Sequence, residues 1–230
     1  MKHLIIPVII LLVMLGACKK NSDSAVPDTH GSFLFVNAIP GNLQFDVRLD
    51  TNQFASNVGY GTNTGYKSYR AQKYNLIITP SGQPNVVLYN AEIFLRNNRY
   101  YSAYLGADSA MANMVLITTE DDLSNPGEGL AKFRVINFTQ AFKPNRTPLG
   151  IDVVSDTFPR FFRGLTFPAQ TGFAPIAGDS TYKINFRWGD SSKVLKTFNL
   201  AAQTGKTYTL ISNGYPLDPN KFNVLMVQHN

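Results

Sequence analysis

Very little in this chain of 230 residues is suited to redox, metal or acid–base chemistry. It has one cysteine, Cys18, and three histidines, His3, His30 and His229. A single cysteine closes no internal disulfide, so apolar burial alone must hold the fold. His3 lies in an apolar leader, His30 in a polar stretch and His229 one residue from the end. A Ser-His-Asp or Cys-His nucleophile and a histidine-based zinc site therefore lack material, and no cofactor or metal is expected. No glycine-rich loop has the spacing of a phosphate cradle. No apolar 3.6-residue period lasts long enough for a core helix. Acids are the minority, 15 against 21 Lys and Arg, but the formal charge of +6 is spread along the chain. Nucleic-acid binders gather their bases on one face, so no nucleic-acid partner is expected.

What is present begins with an address. Lys2 precedes an apolar run from Leu4 to Leu15, broken only by Pro7. The run is too short for a membrane-spanning helix of about 20 residues, and it has the charged start and apolar middle of a secretory signal. It ends in Leu15-Gly16-Ala17-Cys18, which resembles the bacterial lipobox. The resemblance implies a signal peptide over 1–17, removed before a mature N-terminus at Cys18. Lipid on the thiol and the new amine would then anchor the protein, firmly because several acyl chains act together. Residues 18–31 carry Lys, Asn, Ser, Asp and Pro and read as a flexible tether. Lys19 after the cysteine resembles the sorting pattern of enteric lipoproteins that leave the inner membrane. Lys19-Lys20 with Asp23 resembles surface-export signals of Bacteroidetes lipoproteins. The expected location is a bacterial cell envelope at the outer membrane, with its face left open.

The rest reads as strands. "SFLFVNA", "LQFDVRL", "YNLIITP", "AKFRVINF", "GIDVVSD", "TYKINFRW" and "KTYTLIS" are short, aromatic or β-branched, and bounded by Gly, Pro, Asn and Asp. In "YKINFRW", Tyr182, Ile184, Phe186 and Trp188 share one face and Lys183, Asn185 and Arg187 the other. The order also repeats. "FLFVNA" returns as "FRVINF", "FDV" as "IDV", "TGYKSYRAQKYNLIIT" as "TGFAPIAGDSTYKINF", "FLRNNRYYSAYLG" as "NLAAQTGKTYTLISNG" and "MVLI" as "VLMV". Tyr66 thereby aligns with Phe173, Tyr74 with Tyr182 and Tyr101 with Tyr208. The expectation is an all-β protein of two tandem immunoglobulin-like β-sandwiches, over 32–119 and 130–230, joined by an acidic, Pro- and Gly-containing linker at 120–129.

These motifs resemble the DUF4397 domains of secreted and lipid-anchored bacterial proteins. "KFRVINF", "GIDVV" and "TGKTYTLI" fit that pattern in the second copy. The first copy departs, with "NNRYYSA" in place of the Gly-Lys-x-Tyr-Thr element. The resemblance implies a fold and no active site, because the family's marks are structural.

Side chains that could carry a function are few. Asp46 and Asp152 hold equivalent places in the repeats, which favours a turn or backbone role over the paired carboxylates of a glycan hydrolase. Glu120, Asp121, Asp122 and Glu128 cluster in the linker, where solvation is favoured over calcium binding. Trp188 sits beside the turn at Gly189-Asp190-Ser191-Ser192. It either stacks on a ligand, with Arg187 and Asp190 hydrogen-bonding to it, or closes the core. Tyr100, Tyr101 and Tyr104 form a second aromatic set. Phe161 and Phe162, in "TFPRFFRGLTFPAQ", mark a contact surface if exposed and an edge packing if not. The leading expectation is a non-enzymatic, lipid-anchored envelope protein presenting two domains to a polysaccharide or an envelope protein. The alternative is a structural component of an envelope assembly with no ligand of its own, and a carboxylate-dependent glycan hydrolase ranks third.

Overall fold

Period-two alternation becomes strand almost everywhere. The computed structural model describes residues 28–156, 160–189 and 191–230, and over these it is all β. The first copy comprises β1 (His30–Asn37), β2 (Phe45–Leu49), β3 (Asn52–Val58), β4 (Lys67–Arg70), β5 (Lys73–Pro80), β6 (Tyr89–Phe94), β7 (Tyr100–Ala107) and β8 (Met114–Asp121). The second comprises β9 (Leu130–Asn137), β10 (Ile151–Ser155), β11 (Phe162–Leu165), β12 (Ala169–Gln170), β13 (Ala174–Ala177), β14 (Ser180–Trp188), β15 (Val194–Ala202), β16 (Thr207–Gly214) and β17 (Phe222–Gln228).

Each copy closes as a two-sheet sandwich, as expected. In the first, the sheet ordered β4-β1-β7-β8 faces β3-β2-β5-β6 across Phe33, Phe35, Phe45, Leu49, Leu76 and Ile78. In the second, β12-β9-β16-β17, with β13 also on β9, faces β11-β10-β14-β15 across Phe133, Val135, Val153, Ile184, Phe186 and Leu210. The first strand of each copy lies parallel to its penultimate one. Ser32 pairs with Tyr100 and Lys132 with Thr207, so β1 corresponds to β9 and β7 to β16.

The sandwiches also share a third core. Leu34, Val36, Ala38 and Tyr104 on the outer face of one sheet meet Ile136, Phe138, Ile211 and Val227 on the other. β1, β7, β9 and β16 are consequently buried on both faces over most of their length. The approach is close: a Cβ on Gly106 would lie 2.2 Å from the Phe138 ring, so only glycine fits there. Four sheets therefore stack in one block. The expected linker begins two residues inside β8, because Glu120 and Asp121 continue that strand.

Corresponding strands run the same way in both halves. Ser109 Oγ donates to the Gly214 carbonyl at 2.7 Å and accepts from the Gln140 N–H at 2.8 Å. Asn37 and its equivalent Asn137, both fully buried, pin the loops that follow β1 and β9 through Leu43 and Thr139. Ser81 N–H donates to the Gln44 carbonyl, and Gly189 N–H to that of Gly150. The loops after β1, β5, β7, β9, β14 and β16 thus gather at one end. His30, where β1 starts, and Asn230, bonded to Thr207 at the start of β16, lie at the other.

Candidate functional site

The residues singled out from sequence do not assemble into one exposed strip. Trp188 is half-buried and packs on the second core together with Phe161 and Phe162. The Phe161 and Phe162 rings lie 4.9 and 5.5 Å from that of Phe133. β11 pairs with β10, setting Phe162 beside Val153, so the aromatic segment seals the edge of the sandwich. Arg187 is on the opposite face of β14 from Trp188, as the pleat requires. Cys18 and Asp190 lie outside the described residues. Asp46 accepts from Asn57 N–H and Ser81 Oγ, each at 2.8 Å. Asp152, 1% exposed, accepts from Gly164 N–H at 2.8 Å and meets Arg160 at 3.1 Å. Both aspartates hold turns.

The concentration of polar chemistry is elsewhere, in the seam between the sandwiches. Asp121 is 4% exposed rather than solvated. Its Oδ1 accepts from Arg134 Nη2 and, at 2.9 Å, from Thr119 Oγ1. Its Oδ2 accepts from Tyr66 OH at 2.6 Å and Ser102 Oγ at 2.5 Å. Arg134 also donates to Tyr104 OH and, through Nε, to Thr209 Oγ1, both at 2.9 Å. Burial works against its charge, but Tyr104 and Asp121 more than offset that, and the guanidinium is held protonated above its ordinary range. Having donated to Asp121, the Tyr66 hydroxyl accepts from Nδ1–H of His229 at 2.7 Å. The His229 Nε2 then accepts from the Thr209 hydroxyl at 2.7 Å. That proton assignment makes the imidazole neutral, and burial correspondingly lowers its pKa from 6.5 to about 4. Burial, then the charge of Asp121, raises that of Tyr66.

The network has a pseudo-twofold logic. Tyr100 pairs with Asp121, and His229 N–H bonds to the Thr207 carbonyl, so Asp121 and His229 occupy equivalent places in the two copies. Leu34 corresponds to Arg134 and Ser102 to Thr209. Equivalent positions thus differ where the copies meet, and the network is asymmetric about the seam. Ser102, His229 and Asp121 are near one another, yet Ser102 bonds to the carboxylate and His229 to Tyr66 and Thr209. No nucleophile–base pair results. His229 escapes sequence reading because a residue beside the terminus reads as frayed; its equivalence to Asp121 was the available signal.

An open cleft of about 410 Å³ lies over this network. Thr118, Thr119, Glu120 and Asp122 line one side, and Gln170, Thr171 and Gly172 the other, with Phe173 and Arg134 between them. The Phe173 ring is held by two cations from β9: Arg134 Cζ at 4.6 Å and Lys132 Nζ at 5.4 Å from its centroid. Lys132 in turn lies 3.3 Å from Asp122. The cleft therefore offers one anchored aromatic ring ringed by hydroxyl, carboxylate and amide groups.

Fold and site together define an all-β protein of paired sandwiches with a polar cleft at their seam. Residues 32–144 match the model of a family described as "Domain of unknown function (DUF4397)", and the chain is a DUF4397-domain protein. The matched stretch takes in the first copy and the opening strand of the second, although the second copy carries the plainer form of the motifs. No curated protein matches the chain. Among solved structures, a family 26 carbohydrate-binding module of Eubacterium rectale, in complex with maltoheptaose, is 7% identical with a TM-score of 0.30, over 85% of this chain and 95% of that one. The TIE protein of Bacillus anthracis is 9% identical with a TM-score of 0.24, over 81% of this chain and 34% of its own. A Bacteroides eggerthii protein proposed to act in cell adhesion is 11% identical with a TM-score of 0.23, over 89% and 97%. These are loose likenesses among all-β chains and carry no functional argument.

Proposed function

We propose that this protein is a non-catalytic binding protein of a bacterial envelope, held by lipid on Cys18, and that its seam cleft takes a segment of a carbohydrate polymer. The observation that supports this reading is the cleft itself. The half-buried Phe173 ring offers apolar contact to the C–H groups of a sugar, and Thr119, Glu120, Asp122, Gln170 and Thr171 are hydroxyl-directed groups around it. The acid–base groups beneath are saturated by one another, which suits binding rather than turnover. Calorimetric titration of residues 28–230 with a panel of envelope and storage glycans tests it. At least one is expected to bind, with Phe173→Ala and Gln170→Ala each weakening it about tenfold or more. Binding that is indifferent to both substitutions, or no binding across the panel, contradicts the cleft assignment.

A further inference from the structure

The loops at the end remote from the tether form a second surface, independent of the cleft. Ten large apolar side chains are exposed among the described residues, and seven of them stand at this end. Leu43 follows β1, Val86 and Val87 follow β5, and Met111 follows β7. Phe142 follows β9, Val194 follows the β14 turn and Tyr215 follows β16. The exposure is substantial, 51% for Val87 and 52% for Phe142. Scattered exposed apolar residues are ordinary, but their collection on one end of a four-sheet stack is not.

The same loops are basic. Lys143, Arg146, Lys193 and Lys221 stand in them, against Asp108, Asp190 and Asp218 and no glutamate. Asp108 is 3% exposed and bonded to Asn113 and to Ala112 N–H, and half-buried Asp218 lies 3.9 Å from Lys221. With Asp108 buried, the apolar tips are flanked by a positive excess of two, four bases against Asp190 and Asp218. These tips project from six separate loops, not from one groove. A protein partner requires a contiguous complementary patch, whereas the headgroup region of a bilayer conforms to separate tips and rewards adjacent Lys and Arg.

We propose that this loop end docks on an anionic lipid surface, inserting Phe142, Tyr215, Met111 and the valines at the headgroup level while the four basic residues meet phosphate. β1 starts at His30 at the opposite end, so the loop surface is clear of the point where the described chain begins.

Flotation of residues 28–230, which contain every described strand and all three cores, tests the proposal without the apolar leader. The probes are vesicles of phosphatidylglycerol and phosphatidylcholine in equal parts, and vesicles of phosphatidylcholine alone. The protein is expected to float with the anionic vesicles, less so as salt is raised, and not with the neutral ones. Val87→Ser with Phe142→Ser, and separately Lys143→Glu with Arg146→Glu, should each lower the bound fraction about tenfold. Phe94→Ser, at the opposite end and 61% exposed, should leave it unchanged. All substituted side chains are outside the cores, and circular dichroism confirms folding. No flotation, flotation unaltered by the loop substitutions, or equal flotation on neutral vesicles overturns it. So does a dimer that the loop substitutions disperse, which would make this end a contact between copies, or retention of a protein partner without vesicle binding.

Discussion

A buried ion pair is worth little against an apolar alternative of the same shape, and a great deal against its own broken half. Asp121 and Arg134 illustrate why such a pair can persist where two sheets must meet in a single register. Each charge is satisfied only if Tyr66, Ser102, Tyr104 and Thr209 arrive together from both copies. His229 reports on the same register through pH. Its folded pKa of about 4 lies below the ordinary 6.5, so the stability it contributes is present above pH 6.5 and is lost as pH falls toward 4. The loss expected over that interval is about 3 kcal/mol. Urea unfolding at pH 7 and pH 4 should show it as the part of the pH dependence that His229→Gln removes; an unchanged pH dependence in that variant would contradict the assignment. Sequence hid this residue. Asp121 stood in an acidic run that looked solvated, and His229 stood beside a terminus.

Strands were legible as elements because alternation is a local property. Tyr182, Ile184 and Phe186 are buried on the inner face of β14, while Lys183 is exposed. Two stretches carried a further signal. "FLFV" does not alternate and "FRVI" is broken only by Arg134, and near-continuous apolar strands are those covered on both faces. β1 and β9 are the strands that meet that description, with β7 and β16 beside them. What sequence could not supply was the covering partner, since the outer face of one sandwich can be covered by a sheet, a loop or another molecule. Gly106→Ala places a methyl inside the Phe138 ring position and is expected to destabilise by about 1–3 kcal/mol, read as a lowered urea midpoint. Phe138→Leu in the same chain should recover part of the loss. An unshifted midpoint in the single variant would show that the two sheets are not in contact there.

At the scale of the molecule, two copies of one fold form a single stack of four sheets. The repeat was readable in order and spacing; the stacking was not, because a linker with Pro and Gly leaves open whether the copies are rigidly joined. The third core and the polar network instead join them, bringing Phe173 of one copy against Thr119 and Glu120 of the other around the cleft. The cleft exists only if the copies are fused, and the loop end acts as one surface only under the same condition. Scanning calorimetry of residues 28–230 at neutral pH tests this most directly. One transition is expected, with van't Hoff and calorimetric enthalpies equal. Two resolved transitions, or a van't Hoff enthalpy near half the calorimetric value, would mean that the sandwiches unfold independently and that the seam does not hold them together.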